Sequence, residues 1–302
     1  MEELLKEQFD CKEVKSCNGK TGGINSDGGV YLLDGKKVFV KRNPAKGSRM
    51  YEGEHASLMT LHQIDIIKAP KPIRIFSRGE KSFFVMEYLA INPLLKQAAS
   101  LGEKLAQLHL YNEQLRVLSL KNESFVGKTT HFVEKFGFDV TTCVGFIPMD
   151  NRWEDDWLTF YARNRLKAQV DRVVSTYHDR DVASMWPEIE RVLPQLFPSD
   201  QSMIPSLLHG DFWVGNTGEI DGEPCIFDPG SSYGHSEFDL ALPPFPSEFH
   251  DAYHKIIPKQ PGFEKRHKSY ILFYLLNRWN HFGSGYKASA LALMREICAY
   301  NK

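Results

Sequence analysis

The sequence predicts an α+β fold of two lobes, a β-rich first lobe that holds one helix and a mainly helical second lobe. The first ninety residues alternate β-prone runs with turn residues, whereas apolar residues recur at helical spacing after Leu89. The length of 302 residues suggests two subdomains around a shared cleft. We therefore predict lobes of residues 1–89 and 90–302, joined by a hinge.

The first lobe is predicted to contain a hairpin, a helix and two further strands. Residues 29–42, GVYLLDGKKVFVKR, place Asp34-Gly35 between two β-prone runs, which is a strong hairpin signal. Residues 48–64, SRMYEGEHASLMTLHQI, have the apolar periodicity of a helix. PIRIFS and SFFVMEYL then predict two strands, and the second ends where the hinge begins.

The second lobe is predicted to be helical around one loop-rich segment. Helical spacing is found in AASLGEKLAQLHL, DDWLTFYARNRLKAQVDRVV, DVASMWPEIERVLPQLF and the tail from Phe263 to Ile297. Between these blocks lies LLHGDFWVGNTGEIDGEPCIFDPG, residues 207–230, where short apolar runs flank polar and glycine residues. The order of the polar residues in this segment suggests a catalytic site.

Composition excludes several classes of protein. Lys and Arg (37) nearly balance Asp and Glu (38), which argues against nucleic-acid or membrane-surface binding. No run approaches 18 apolar residues and no signal peptide is apparent, so we expect a cytosolic protein, with a monomer as the expected state. The five cysteines lack CxxC spacing, which predicts reduced thiols and no structural zinc.

Residues 207–230 offer the groups that phosphoryl transfer from ATP requires, a base and ligands for Mg²⁺. Asp211 would accept the proton of the attacking hydroxyl. Asn216, five residues on, and Asp228, at the end of an apolar strand, would be the Mg²⁺ ligands. The pattern H-G-D-x4-N, followed twelve residues later by Asp, parallels the H-R-D-x4-N and D-F-G motifs of protein kinases.

The same chemistry needs a cation on the phosphates, and the first lobe supplies one at the end of the strand VFVKR. Lys41 would hold the phosphates and pair with a Glu on the following helix. Glu54 shares a helix face with apolar residues and should point inward, whereas Glu52 lies on another face; we prefer Glu54.

Two further segments are assigned to ATP. GGINSDGG, residues 22–29, precedes the hairpin and would cover the phosphates, with Gly22, Gly23, Asn25 and Ser26 as candidates. Its spacing does not match G-x-G-x-x-G, so the signal is weak. The hinge Glu87, Tyr88 and Leu89 would present backbone groups to the adenine edge, although an ordinary strand end explains VMEYL equally well.

With these residues in hand, the chain resembles the fructosamine-3-kinase and ketosamine-3-kinase family nearly end to end. The family-specific motifs are KFGFD, DPGSSYGHSEF and WNHFG, whereas H-G-D-x4-N is shared with aminoglycoside- and choline-kinase-like enzymes. The resemblance implies a protein-kinase-like fold and ATP-dependent, Mg²⁺-dependent phosphorylation of the 3-hydroxyl of ketosamines. The acceptors would be ribulosamine, psicosamine or fructosamine on small amines and glycated proteins, and the reaction would lead to deglycation.

The resemblance also implies roles for residues around the loop. Trp213 and His209 are assigned to the acceptor side, with His209 also fixing the loop, and Asp239 would be a buried carboxylate that steadies it. Ile24 stands where family members often have a cysteine, so we predict no disulfide regulation through this loop. The segment LALPPF and Arg278, at the position of a usual His, also depart from the family and put acceptor preference in doubt.

The sequence leaves two alternatives to a ketosamine kinase open. The chain could be another small-molecule hydroxyl kinase, acting on an aminoglycoside or an amino alcohol, although no acidic cluster in the second lobe favours that pocket. It could also be a nucleotide-binding pseudokinase, but such proteins usually lack the Lys, the base or a metal ligand, and all are present here.

Overall fold

The first lobe is built on an antiparallel sheet of five strands, here in a computed structural model that describes residues 1–20, 27–43, 48–121, 132–197, 203–242 and 245–301. The strand order is β1-β2-β3-β5-β4, and all neighbours are antiparallel. Its elements are α1 (Glu2–Phe9), β1 (Val14–Lys20), β2 (Asp27–Leu33), β3 (Lys36–Asn43), α2 (Ser48–Ile64), β4 (Pro72–Arg78) and β5 (Lys81–Glu87).

The two faces of this sheet bury different partners because side chains alternate along each strand. In β5, Phe83 and Val85 pack with Leu5 of α1, whereas Phe84 and Met86 belong to a second cluster that includes α2. The sheet is therefore covered by α1 on one face and by α2 on the other, and the second face borders the cleft.

The second lobe is mainly helical, with three two-stranded sheets. Its elements are α3 (Ala98–Leu120), β6 (Thr142–Val144), β7 (Ile147–Met149), α4 (Trp157–Thr159), α5 (Ala168–Tyr177), α6 (Arg180–Leu196), β8 (Ser206–Leu208), β9 (Thr217–Ile220), β10 (Glu223–Ile226), β11 (Ser232–Gly234), α7 (Ser247–Ile256), α8 (Phe263–Phe282) and α9 (Lys287–Cys298). A π-helical segment, Phe160–Lys167, joins α4 to α5, and short 3₁₀ turns follow β8, β11 and α8.

The predicted α+β architecture is confirmed, with one correction. The hairpin turns at Asp34-Gly35, both at positive φ (45° and 85°), as a two-residue hairpin loop requires. Among its described residues, the first lobe holds two helices rather than one. The amphipathic N-terminus forms α1 because Leu4 and Leu5 are buried against the sheet.

The apolar core is continuous across the predicted lobe boundary at Leu89. One cluster joins Phe84 and Met86 of β5 to Leu101 and Leu105 of α3 and to Phe249 of α7. The division into residues 1–89 and 90–302 therefore follows secondary structure rather than a break in the core, and it stays a prediction.

None of the helices in the described ranges combines the length and apolarity that a membrane-spanning segment needs. The five cysteines all lie within those ranges, and all five are free thiols.

Candidate active site

A cleft of about 1040 Å³ separates the sheet of the first lobe from the helices of the second. At one end, Phe39, Pro70 and Met86 form an apolar slot beside the extended segment 87–92. At the other end the lining comes from α8 and the turn that follows it. The cleft therefore has an apolar end at the hinge and a polar, helical end.

A buried ion triad crosses the cleft from the first lobe to the second. Lys41 Nζ lies 2.6 Å from Glu54 Oε1 and 2.6 Å from Asp228 Oδ1. Burial disfavours the charged amine, but the charges of Asp228 and Glu54 outweigh burial and raise the pKa of Lys41. Lys41 is therefore a fixed cation at the centre of the site.

The helix face explains which glutamate makes this pair. Glu54 is buried on the same side of α2 as Tyr51 and Leu58, whereas Glu52 is exposed. The structure thus places Glu54, and not Glu52, against Lys41.

The loop that carries Asp211 is held by a buried carboxylate. Asp239 is fully buried and accepts hydrogen bonds from the backbone N–H groups of His209 (2.6 Å) and Gly210 (2.9 Å). Gly210 has φ 85°, and a Cβ there would lie 2.1 Å from the carbonyl oxygen of Gly230. Only glycine fits this turn, which aims Asp211 at the cleft.

Asp211 lines the cleft beside Asn216. The Asn216 Nδ2 group donates to the backbone oxygen of Asp211 (2.9 Å) and to its Oδ2 (3.2 Å). Burial, followed by the charge of Asp228, raises the pKa of Asp211 to about 7; the hydrogen bond from Asn216 and the charge of Arg278 act against this rise. An aspartate with a pKa near neutrality has the proton affinity of a general base.

The donor set fits Mg²⁺. Asp228 offers a carboxylate that is partly exposed to the cleft, and none of the described residues donates a hydrogen bond to Asn216 Oδ1. Hard oxygen ligands of this kind, one or two from the protein and others from phosphates and water, are typical of Mg²⁺ at phosphoryl-transfer sites.

The structure brings most of the sequence-predicted residues into this one cleft. Its lining includes the hinge and the acceptor-side aromatic as well as the central polar groups, namely Lys41, Glu54, Glu87, Tyr88, Leu89, Asp211, Trp213, Asn216 and Asp228. The predicted phosphate-loop residues Gly22, Gly23, Asn25 and Ser26, and Ile24 between them, lie outside the described residues.

His209 takes a position that differs from its assignment to the substrate. The imidazole is fully buried and does not line the cleft. Its Nε2 lies 3.0 Å from the Phe227 carbonyl oxygen, and its Nδ1 accepts from the N–H of Asp211 at 3.3 Å. His209 therefore ties the loop to the segment after β10, and the contact predicted with the acceptor is replaced by this structural one.

Several residues of the site were not found from the sequence. His109 of α3 lies behind the loop, with its Nε2 3.3 Å from Asp239 Oδ2 and its Nδ1 2.8 Å from the Tyr253 hydroxyl. Asn277 of α8 lines the cleft beside Arg278, which the sequence had marked only as a departure from the family. No local pattern marks either residue: His109 reaches the site through a long-range contact, and helical spacing does not show that Asn277 lines the cleft.

Known proteins resemble this chain over nearly its whole length. A family model described as fructosamine kinase matches residues 1–300. The mouse ketosamine-3-kinase is 45% identical over 308 residues, covering 98% of this chain and 99% of its own length. The chloroplastic protein-ribulosamine 3-kinase of Arabidopsis thaliana is 33% identical, covering 90% of this chain and 79% of its own length.

Solved structures share the fold. A candidate fructosamine-3-kinase from Haemophilus somnus 129PT superposes with a TM-score of 0.76 at 24% identity, over 98% of this chain and 96% of that one. The aminoglycoside phosphotransferase APH(4)-Ia gives 0.57 at 14% identity, over 99% of this chain and 96% of its own. At these identities the likeness concerns the fold alone, and the predicted kinase-like architecture is confirmed.

Proposed function

The chain belongs to the fructosamine kinase family, and on that premise we propose that it is an ATP-dependent ketosamine kinase that phosphorylates the sugar 3-hydroxyl. The observation that carries the proposal is the meeting of Lys41, Asp211 and Asp228 in one cleft. A cation for phosphates, a carboxylate base and a metal ligand are the parts that phosphoryl transfer requires.

The nucleotide is assigned to the hinge end of the cleft. The slot of Phe39, Pro70 and Met86 would enclose adenine, and the Leu89 backbone N–H makes no backbone hydrogen bond to another described residue, so it is available to the base. Lys41, held by Glu54, would then position the phosphates. When bound at Asn216 and Asp228, Mg²⁺ supplies charge neutralisation on the phosphate oxygens.

Asp211 would accept the proton of the acceptor hydroxyl as that oxygen attacks the terminal phosphorus. The bond from this phosphorus to the ADP oxygen breaks, and the proton stays on the carboxylate until solvent removes it. Asn216 orients the carboxylate through its bond to Oδ2, and Asp239 fixes the backbone beneath it.

The acceptor is assigned to the α8 end, beside Trp213, whose ring offers an apolar face to a sugar. Ribulosamines, psicosamines and fructosamines on small amines and on glycated proteins are the proposed acceptors. A phosphate at the 3-position makes the ketoamine unstable, so the reaction leads to deglycation. A cytosolic location and a monomeric state belong to the same proposal.

The test is ATP consumption with ribulosyl-, psicosyl- and fructosyl-lysine, with choline and hygromycin B as acceptors of other classes. At least one ketoamine should support turnover, whereas turnover only with choline or hygromycin B would overturn the proposal. Asp211→Asn should lower kcat by about 10²–10⁴, the range for a general base, while ATP binding is retained. Unchanged activity in this variant would remove Asp211 from the mechanism.

A further inference from the structure

Two neighbouring side chains of α8 line the cleft without a hydrogen-bond partner among the described residues. Asn277 is buried, 4% exposed, and none of those residues accepts a hydrogen bond from its Nδ2. The partly exposed Arg278 makes no hydrogen bond or ion pair with any residue in the described ranges, although its charge reaches Asp211. Both residues line the cleft.

Unpaired donors of this kind are unusual in a folded protein. A buried polar group that loses its water without gaining a partner destabilises the folded state. The buried arginines of this lobe are satisfied: Arg266 forms two hydrogen bonds to Glu237, and Arg165 donates to Asn151 and to the Asp150 carbonyl oxygen. Other buried side-chain atoms of the described residues also lack a partner, including both amide atoms of Asn164, but of these residues only Asn277 lines the cleft, where a ligand could accept from it.

The hydrogen-bond donors of Asn277 and Arg278 indicate which chemical group would bind to them. An amide N–H and a guanidinium are both donors, and a guanidinium fork matches a carboxylate in geometry and charge. A ketoamine nitrogen is itself basic, so an unpaired guanidinium near it would repel the protonated acceptor unless the acceptor also carried an anion. A group with two oxygens and one negative charge satisfies both requirements.

The position of the pair decides which substrate carries that anion. The phosphates are assigned to Lys41, on the sheet side of the cleft, whereas Arg278 lies on α8 and, like Trp213 and Tyr286, belongs to the lining that the second lobe supplies. The acceptor is proposed to bind at the α8 end.

We propose that Asn277 and Arg278 form a subsite for a carboxylate on the acceptor, so that the enzyme prefers ketoamines of α-amino acids. This inference rests on the proposed ketosamine kinase function. In such an acceptor the carboxylate is one carbon from the glycated nitrogen. Arg278 is then a specificity-determining residue that contacts the substrate outside the reacting atoms.

The test compares two acceptors that differ only in this group, ribulosyl-glycine and ribulosyl-glycinamide. Their kcat/KM ratio in the wild-type protein should favour the carboxylate by roughly 10-fold to 100-fold, the range for hydrogen bonds between charged groups. Arg278→Met should bring the ratio close to one, and Arg278→Lys, which keeps the charge, should restore part of it. If a substitution of Arg278 also alters Asp211, on which its charge acts, kcat/KM changes equally for both acceptors and the change cancels in their ratio.

Other results would overturn the subsite. Equal kcat/KM for the two acceptors in the wild-type protein would do so. A fall in kcat for both acceptors in Arg278→Met, with the ratio kept, would place Arg278 on the transferred phosphoryl group instead. If neither ribulosyl compound is phosphorylated by the wild-type protein while another ketoamine is, the subsite fails and the proposed function stands; if no ketoamine is phosphorylated, the proposed function fails as well. A thermal shift with Mg-ATP shows that each variant is folded.

Discussion

Asp211 owes its proton affinity to its surroundings rather than to its own chemistry. Desolvation is the largest cause of its raised pKa, and repulsion from Asp228 is the next. Mg²⁺ on Asp228 would weaken the second cause and leave the first in place. The base should therefore remain easier to protonate than an ordinary aspartate, whose pKa is about 3.9.

The pH dependence of the reaction follows from this shift. A carboxylate whose pKa is raised to about 7 is increasingly protonated, and lost as a base, as the pH falls below that value. We expect kcat/KM for a ketoamine, measured at saturating Mg-ATP, to fall on the acidic side well above the ordinary aspartate range. Thermal unfolding at each pH checks that the fold persists. A rate that is constant from about pH 8 to about pH 5 would contradict this expectation.

The Lys41–Glu54 pair allows a second test with a matched control, because Glu52 lies on the exposed side of the same helix. Glu54→Gln keeps the shape and removes the charge that holds Lys41. Hydrogen bonds between charged groups contribute about 1.5–3 kcal/mol, so kcat/KM for ATP should fall roughly 10-fold to 100-fold. Glu52→Gln should leave it unchanged. Equal effects of the two substitutions would show that the pair does not position the phosphates.

Sequence reasoning succeeded for residues whose surroundings are local and was weaker where contacts are distant. Glu54 was preferred over Glu52 by helical spacing, which depends only on neighbours along the chain. The resemblance assigns His209 to the acceptor side, but its ring turns inward to Phe227. A sequence pattern does not tell which way a loop side chain turns, since that depends on the elements packed behind it.

At the scale of elements, the strands and long helices follow from periodicity, and the exceptions have physical causes. α1 spans only eight residues, and its buried leucines share a cluster with strands that range from the adjoining β1 (Val14) to the distant β5 (Phe83 and Val85). Isolated helices this short are marginal, so it is the sheet that makes this segment helical. The π-helical segment Phe160–Lys167 likewise interrupts a segment whose spacing predicted a regular helix.

The close packing of α2 against β6 depends on a glycine next to Glu54. A Cβ at Gly53 would lie 2.5 Å from the Thr141 carbonyl oxygen and 2.8 Å from the Thr142 Cα. Because both contacts are with backbone, the helix would have to move away from β6. Such a movement would carry Glu54 away from Lys41.

We therefore expect Gly53→Ala to lower activity even though alanine favours helix by up to about 1 kcal/mol. The overpacking should cost about 1–3 kcal/mol of stability as well. Gly285→Ala is the control, since nothing lies within 4 Å of a Cβ at that position. Steady-state kinetics and urea unfolding measure the two effects. A Gly53→Ala variant that is as active and more stable than wild type would show that α2 has room to shift.

At the scale of the molecule, the two lobes are joined by a common apolar cluster and an ion pair, although one lobe is β-rich and the other mainly helical. The cluster containing Phe84, Leu101 and Phe249 crosses the hinge, and the Lys41–Asp228 ion pair crosses the cleft. The cluster around Leu5, by contrast, lies entirely within the first lobe. Whether the two lobes unfold together can therefore be measured by changing a core residue in one lobe and following the unfolding of the other.

All five tryptophans lie after residue 89, at positions 153, 157, 186, 213 and 279, so tryptophan fluorescence reports on the second lobe alone. Leu5→Ala, in the fully buried core of the first lobe, should cost about 2–5 kcal/mol. If the shared core couples the lobes, the fluorescence Tm should fall by roughly 1.5 °C per kcal/mol, as expected for one cooperative unit of this size. Leu120→Ala, 71% exposed, is the matched control and should leave the Tm unchanged. A fluorescence transition that Leu5→Ala does not shift would mean that the lobes unfold independently, and the boundary at Leu89 would then separate two domains rather than two halves of one.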